Sequence, residues 1–245
     1  VTIEGDIHDP AYVAGVFDRC ASNYRFWSNV TSFGFIPRWR RQCVDALPEG
    51  GPPDPKVLDL MAGTGEIWPV LLSRRGYRQI TAVDISHQMH VHALERLHRD
   101  RADSITHIEA DVLTSDLPDA CADCVVSTFG LKTMSPAQLD TLAAQIARIL
   151  KPGGAFSLIE ASDPHGWWLR PLYRFYMDRV LPLVERYAMK GAQDFSMIGV
   201  YTRSFRDCSY FADALRRQGM DFRMERYFFG CATGVAGHRP EEVKR

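Results

Sequence analysis

From Lys56 to Glu160 the chain alternates short apolar runs with longer helical stretches, and this rhythm admits few architectures. The runs 56–60, 80–84, 106–109, 123–128 and 155–160 read as strands, and 66–75, 86–99 and 136–150 as the helices between them. Pro152 stops the last of these helices, and Gly153-Gly154 in "LKPGGAF" turns the chain into the next strand. Such an alternation predicts an α/β fold, with a mostly parallel sheet covered by helices on both faces. Two further runs, 222–229 and 233–238, are separated only by a turn at Gly230. They are expected to pair antiparallel at one edge, giving seven strands.

The 245 residues divide around that core into a helical cap (1–50), the core (54–160), a helical lid inserted after the fifth strand (161–205) and a terminal helix with the strand pair (206–245), all read as a single domain. The stiff "GGPPDP" joins cap to core. Cap and lid are rich in aromatics and should sit over one end of the sheet. Lys plus Arg (29) nearly balance Asp plus Glu (30), so no overall field draws nucleic acid. No apolar run approaches the roughly 20 residues of a membrane span. The first residues, "VTIEGDIHDP", lack signal-peptide character, so the cytoplasm is the expected location. Cys121 and Cys124 form a C-x-x-C pair without a second pair or histidines at ligand spacing. His87, His90, His92 and His98 decorate one helix without a completing acid, and no metal is expected.

The loop after the first strand, in "KVLDLMAGTGEIW", raises the question of its ligand. Glu66 after Gly65 places an anion where a P-loop needs lysine, which excludes that phosphate cradle. Trp68 stands where a dinucleotide loop needs a small residue. Asp59 and Glu66 flank a site that tolerates positive charge. Asp84 ends the second strand, where a carboxylate can accept from both ribose hydroxyls. Asp111 follows the third, placed for an exocyclic amine, with the Val112 N–H available to a ring nitrogen. Ribose, adenine, no phosphate and a positive group describe S-adenosylmethionine.

At this point the chain resembles the class I methyltransferases, and within them the UbiE family of ubiquinone and menaquinone C-methyltransferases. "VFDRCASNYRFWSNVTSFGFIPRWRR", "LDLMAGTGE", "VDISHQM", "STFGLKTM", "ARILKPGGAFSLIE" and "GVAGHRP" carry the resemblance nearly end to end. It implies a Rossmann-like sheet and S-adenosylmethionine as cofactor. It also implies that Thr64, Asp84, Asp111, Val112 and Thr128 contact the cofactor and that Tyr24 closes over it. Ala62, Gly63, Gly65, Ile85 and Met89, in the same quoted stretches, join Asp59 in the expected site.

On the acceptor side the chain departs from that family. Lys132-Thr133 replace Arg-Asn after "FGL", Arg25 follows Tyr24, and Val200-Tyr201 replace Glu-Ser. Lysine lacks the planar fork of arginine, so a redirected acceptor is expected: lipophilic, aromatic, quinone-like or polyketide-like. Trp167, Trp168, Tyr173, Phe175 and Tyr176 suit it. Methylation at carbon or oxygen needs the acceptor held near the methyl, and a base where a proton must leave. His165, opening the lid, is the first candidate base; Lys132, Tyr201 and His238 are further catalytic candidates. A non-methylating use of the same cofactor, such as cyclisation or isomerisation, and a phospholipid-headgroup N-methyltransferase are the alternatives. "LRPLYRFYMDRVLPLVERY" is amphipathic enough to leave peripheral membrane contact open.

Overall fold

The computed structural model describes residues 6–75, 77–189 and 194–241. Its strands are β1 (Lys56–Leu60), β2 (Gln79–Asp84), β3 (Ile105–Glu109), β4 (Ala122–Thr128), β5 (Leu150–Ala161), β6 (Asp221–Tyr227) and β7 (Ala232–His238). They form one sheet in the order β3-β2-β1-β4-β5-β7-β6. The first five are mutually parallel, and β7 runs antiparallel to both β5 and β6. The expected sheet with its antiparallel edge is therefore present, β6 being outermost.

The turn expected before the fifth strand lies inside it. Ala122 pairs with Leu150 but Cys124 with Ala155, so the residues between them bulge out, with Gly153 at φ 77°. The helix expected from residue 66 begins later, at Trp68, because Gly65 and its neighbours are spent on the loop.

Two helical layers cover the sheet. Leu58, Leu60 and Val125 point to the face where α6 (Pro136–Ile149) and α10 (Ser209–Arg217) bury Leu142, Ile146, Phe211 and Leu215. Alternation turns Val57, Cys124 and Val126 to the opposite face, packed with Val44 of α3 (Phe35–Asp45), Leu71 of α4 (Trp68–Arg75) and Ala93 of α5 (His87–Asp100). The cap adds α1 (Pro10–Cys20) and α2 (Tyr24–Thr31). The lid runs from α7 (Arg170–Phe175) through a π-helical turn, Tyr176–Val180, into α8 (Leu181–Ala188), with α9 (Met197–Phe205) after it.

The strand order reverses between β1 and β4, which opens a crevice beyond the carboxyl ends of the strands. Cap and lid both close on that end. Asp18 of α1 accepts from the Ser86 hydroxyl (2.6 Å) and the Gln88 N–H (2.9 Å) at the start of α5, where an anion is favoured. His8 Nδ1 lies 2.9 Å from the Thr133 carbonyl, and Gln138 Nε2 donates to the His8 carbonyl at 2.8 Å.

Candidate active site

The crevice is lined by the β1 loop (Met61, Ala62, Gly63, Glu66), the β2 end (Asp84, Ile85), the β3 end (Asp111, Val112) and the β4 end (Thr128, Phe129), roofed by Phe17 and Tyr24 of the cap. Gly65 has φ +78°, and a Cβ there would lie 2.3 Å from the Trp68 ring, so no other residue fits. A Cβ on Gly130 would lie 2.5 Å from that of Met61, which is how closely the β4 loop approaches.

Asp84 ties this together. Its Oδ2 accepts from the Gly63 N–H at 2.7 Å and its Oδ1 from the Ser86 N–H at 2.9 Å. Burial pushes its pKa up to about 6, against the pull of these two N–H groups. On the β3 side, Asp111 Oδ1 accepts from the Leu113 N–H at 2.9 Å, which fixes that turn.

A second set of side chains braces the loop from beneath. Asp59 shares the face of Val57, is 1% exposed and accepts from the Trp68 indole N–H at 2.9 Å; burial raises its pKa to about 8. Arg96 of α5 donates to the Thr64 and Gly65 carbonyls, both at 2.9 Å, and lies over the Trp68 ring. His107 places Nε2 3.1 Å from the Gly63 carbonyl and Nδ1 2.9 Å from His90 Nδ1. A carbonyl only accepts, so His107 carries its hydrogen on Nε2; burial lowers its pKa to about 4 and keeps it neutral.

Arg40 enters the crevice from α3. It is 6% exposed, its Nη2 stands 3.8 Å from Glu66 Oε2, its guanidinium lies over the Phe129 ring, and its Nε has no hydrogen-bond partner among the described residues. Glu66 also accepts from the Thr64 hydroxyl. Nothing in "FIPRWRRQ" separates Arg40 from Arg38 and Arg41, because only packing decides which of the three turns inward.

A second, larger cavity of about 470 Å³ adjoins the first, and Tyr24 and Phe129 line both. Its walls come from α2, α3 and the lid: Phe35, Ile36, Trp39, Tyr173, Tyr176 and Phe195 among them. Lys132 is the one charged side chain lining it among the described residues. Lys132 is 2% exposed, and its ammonium donates to Glu160 Oε1 at 2.8 Å and the Phe129 carbonyl at 2.7 Å. Glu160 accepts further from the backbone N–H of Lys132 (3.0 Å) and of Ala161 (2.7 Å).

The profile of the ubiE/COQ5 methyltransferase family matches residues 6–239. The chain belongs to that family. It is an S-adenosylmethionine-dependent methyltransferase, and S-adenosylmethionine is its cofactor. It is 29% identical over 229 residues to the ubiquinone/menaquinone biosynthesis C-methyltransferase UbiE of Rubrivivax gelatinosus, covering 91% of this chain and 85% of that one. With the protein of the same name from Shewanella pealeana it shares 30% over 200 residues, 80% of this chain and 77% of that one. Among solved structures it resembles a methyltransferase of Methanococcus maripaludis (TM-score 0.63, 16% identity, all of both chains). It also resembles the geranyl diphosphate C-methyltransferase of Streptomyces coelicolor (TM-score 0.59, 14% identity, 82% of this chain and 77% of that one). At these identities the structures show a shared fold.

Of the residues that the methyltransferase resemblance brings to the cofactor, Tyr24, Ala62, Gly63, Asp84, Ile85, Met89, Asp111, Val112 and Thr128 line the crevice. Asp59, Thr64 and Gly65 do not: Asp59 lies under Trp68, the Thr64 hydroxyl is turned to Glu66, and Gly65 packs on the indole. Of the catalytic candidates Lys132 lines the second cavity. His165 lies outside both, 3.6 Å from Asp163, whose carboxylate is held by a fork from Arg170. Tyr201 is buried among Val13, Val16 and Met197 and donates to the Ile7 carbonyl at 2.8 Å. His238 pairs across the sheet with Ala155 and Asp221, so it sits at the end of the sheet opposite the crevice. In a strand running antiparallel to β5, the last residue necessarily lands there.

Proposed function

We propose that this enzyme methylates carbon, or oxygen, of a lipophilic aromatic or quinone-like acceptor held in the second cavity. The observation that carries this is the shared wall: an apolar chamber meets the cofactor crevice at Tyr24 and Phe129. The relatives named as ubiquinone/menaquinone biosynthesis C-methyltransferases support an acceptor of that kind. Four of the five lid aromatics expected to meet it, Trp167, Tyr173, Phe175 and Tyr176, line the chamber.

The residues of the crevice fit the cofactor part by part. Asp84 accepts from the ribose hydroxyls, and Asp111 with the Val112 N–H takes the adenine edge. The unpartnered Nε of Arg40 meets the methionine carboxylate, and Glu66 faces the ammonium. When bound, the cofactor supplies an electrophilic methyl on a sulfonium. The protein brings the acceptor within roughly 3–3.5 Å of it and excludes water. An ammonium has three N–H donors, and two of those on Lys132 are spent on Glu160 and Phe129. The third holds the ionised oxygen of a phenol or enol beside the carbon that is methylated.

The test is incubation of the purified protein with S-adenosylmethionine and a panel of quinols, phenols and polyketide enols. Formation of S-adenosylhomocysteine with a mass gain of one CH2 on an apolar member is the expected result. Conversion without S-adenosylhomocysteine, or turnover confined to water-soluble amines, refutes the proposal.

A further inference from the structure

The second cavity opens through a rim that is itself apolar. Phe33, Leu172, Phe175 and Phe228 line the cavity and yet are 74%, 62%, 58% and 44% exposed, so they stand at its mouth. Beside them Trp168 is 81% exposed, and Phe229, stacked on the cavity-lining Trp167 at 5.2 Å, is 61% exposed. A cluster of large apolar side chains of this size marks a surface that meets something other than water. Three of them are held there at a backbone cost. Phe33, Phe228 and Phe229 have φ of 52°, 42° and 57°, the left-handed region that bulky residues avoid.

The lid (161–205) carries six Lys and Arg against four Asp and Glu. Arg174, Arg179 and Arg186 are exposed there, while Asp163, Asp178 and Asp194 are each paired with an arginine and Glu185 accepts from the Ser196 N–H at 2.7 Å. The chain as a whole carries −1, so this positive excess is local to the lid.

We propose that this rim docks on a lipid bilayer bearing anionic headgroups. The aromatic and aliphatic side chains enter the interface, the arginines meet the headgroups, and an acceptor dissolved in the bilayer reaches the cavity without crossing water. A protein seated on the rim would instead close the entrance it surrounds. Only the purpose of docking rests on the acceptor reading above; the docking itself is measured with neither cofactor nor acceptor, so either can fail alone.

The experiment is sedimentation of the protein with vesicles of phosphatidylcholine, with and without phosphatidylglycerol. Binding is expected to the anionic vesicles, weakening as salt rises. Arg174→Gln with Arg179→Gln should weaken it roughly 25-fold, about fivefold for each arginine. Trp168→Ser with Phe229→Ser should weaken it at least about tenfold. Calorimetric affinity for S-adenosylhomocysteine, unchanged in both variants, shows that they are folded. No sedimentation above the lipid-free blank, or equal binding by wild type and both variants, overturns the proposal. So does a dimer that Trp168→Ser dissociates in the absence of vesicle binding, which would assign the face to a second copy of the chain.

Discussion

Asp84 gives the sharpest test of the cofactor site, because charge, geometry and pH converge on one carboxylate. Its two oxygens already accept from Gly63 and Ser86, and the residue lines the crevice. Hydrogen bonds to a charged group are worth about 1.5–3 kcal/mol, so Asp84→Ala should raise the dissociation constant of S-adenosylhomocysteine roughly 10- to 150-fold. Asp84→Asn is the control: its amide oxygen still accepts from Gly63, so the loop stays anchored while the charge is gone. The pH dependence separates the two contributions. Burial, with Glu66 and Asp18 nearby, lifts this carboxyl from 3.8 to about 6. The ligand-free folded chain therefore holds the proton where the unfolded chain has released it. Its stability falls as pH rises from about 4 to about 6, the sign opposite to that of a salt-bridged carboxylate. Ligand binding favours the anion, so wild-type affinity should fall about tenfold per pH unit below about 6, whereas Asp84→Asn should be flat. Isothermal calorimetry between pH 5 and 8 reads both. Unchanged affinity in Asp84→Ala, or a flat wild-type profile, refutes the ribose assignment.

Other expectations are independent of that one. Arg40→Met should weaken S-adenosylhomocysteine about tenfold or more yet leave methylthioadenosine, which lacks the amino-acid part, bound as before; an equal loss for both ligands removes Arg40 from the carboxylate. Lys132→Met should lower kcat/KM roughly 10²-fold and, by leaving Glu160 unpaired, cost about 3 kcal/mol. Adding Glu160→Gln should restore the melting temperature but not turnover, and recovered turnover would make the pair purely structural. Asp59, raised to about 8 by burial, penalises the fold increasingly from about pH 4 to pH 8. Asp59→Asn, still able to accept from Trp68, should therefore melt above wild type by several degrees or more at pH 8, since each pH unit between those two values is worth about 1.4 kcal/mol, with the gap closing toward pH 4. His165→Ala should turn over at nearly the wild-type rate; a drop of roughly 10²-fold would make it the base after all.

How much of this was legible beforehand depends on the range of the interaction. The sheet was readable because strand and helix periods are local, and the carboxylates at the tips of β2 and β3 follow once the strands are placed. Some side chains lie one layer away from where spacing along the chain puts them. Its place near the end of β1 points Asp59 to the ligand, but alternation along that strand turns it under Trp68. His90 and His107 belong to different elements and meet only across the α5–β3 contact, so a helix of scattered histidines hid a brace for the cofactor loop.

Order along the chain, with its glycines and strand-end acids, was enough to specify a doubly wound sheet and a nucleoside-sulfonium site, since backbone periodicity and turn chemistry act over a few residues. The acceptor chamber was another matter. Its walls are drawn from α2, α3, the β4 loop, the lid and the turn after β6, and which side chains face inward is settled by packing among segments far apart in sequence. For the same reason Lys132 could be recognised as a departure from its family, while its pairing with Glu160 and its place inside an apolar cavity emerged only when β4 and β5 lay side by side.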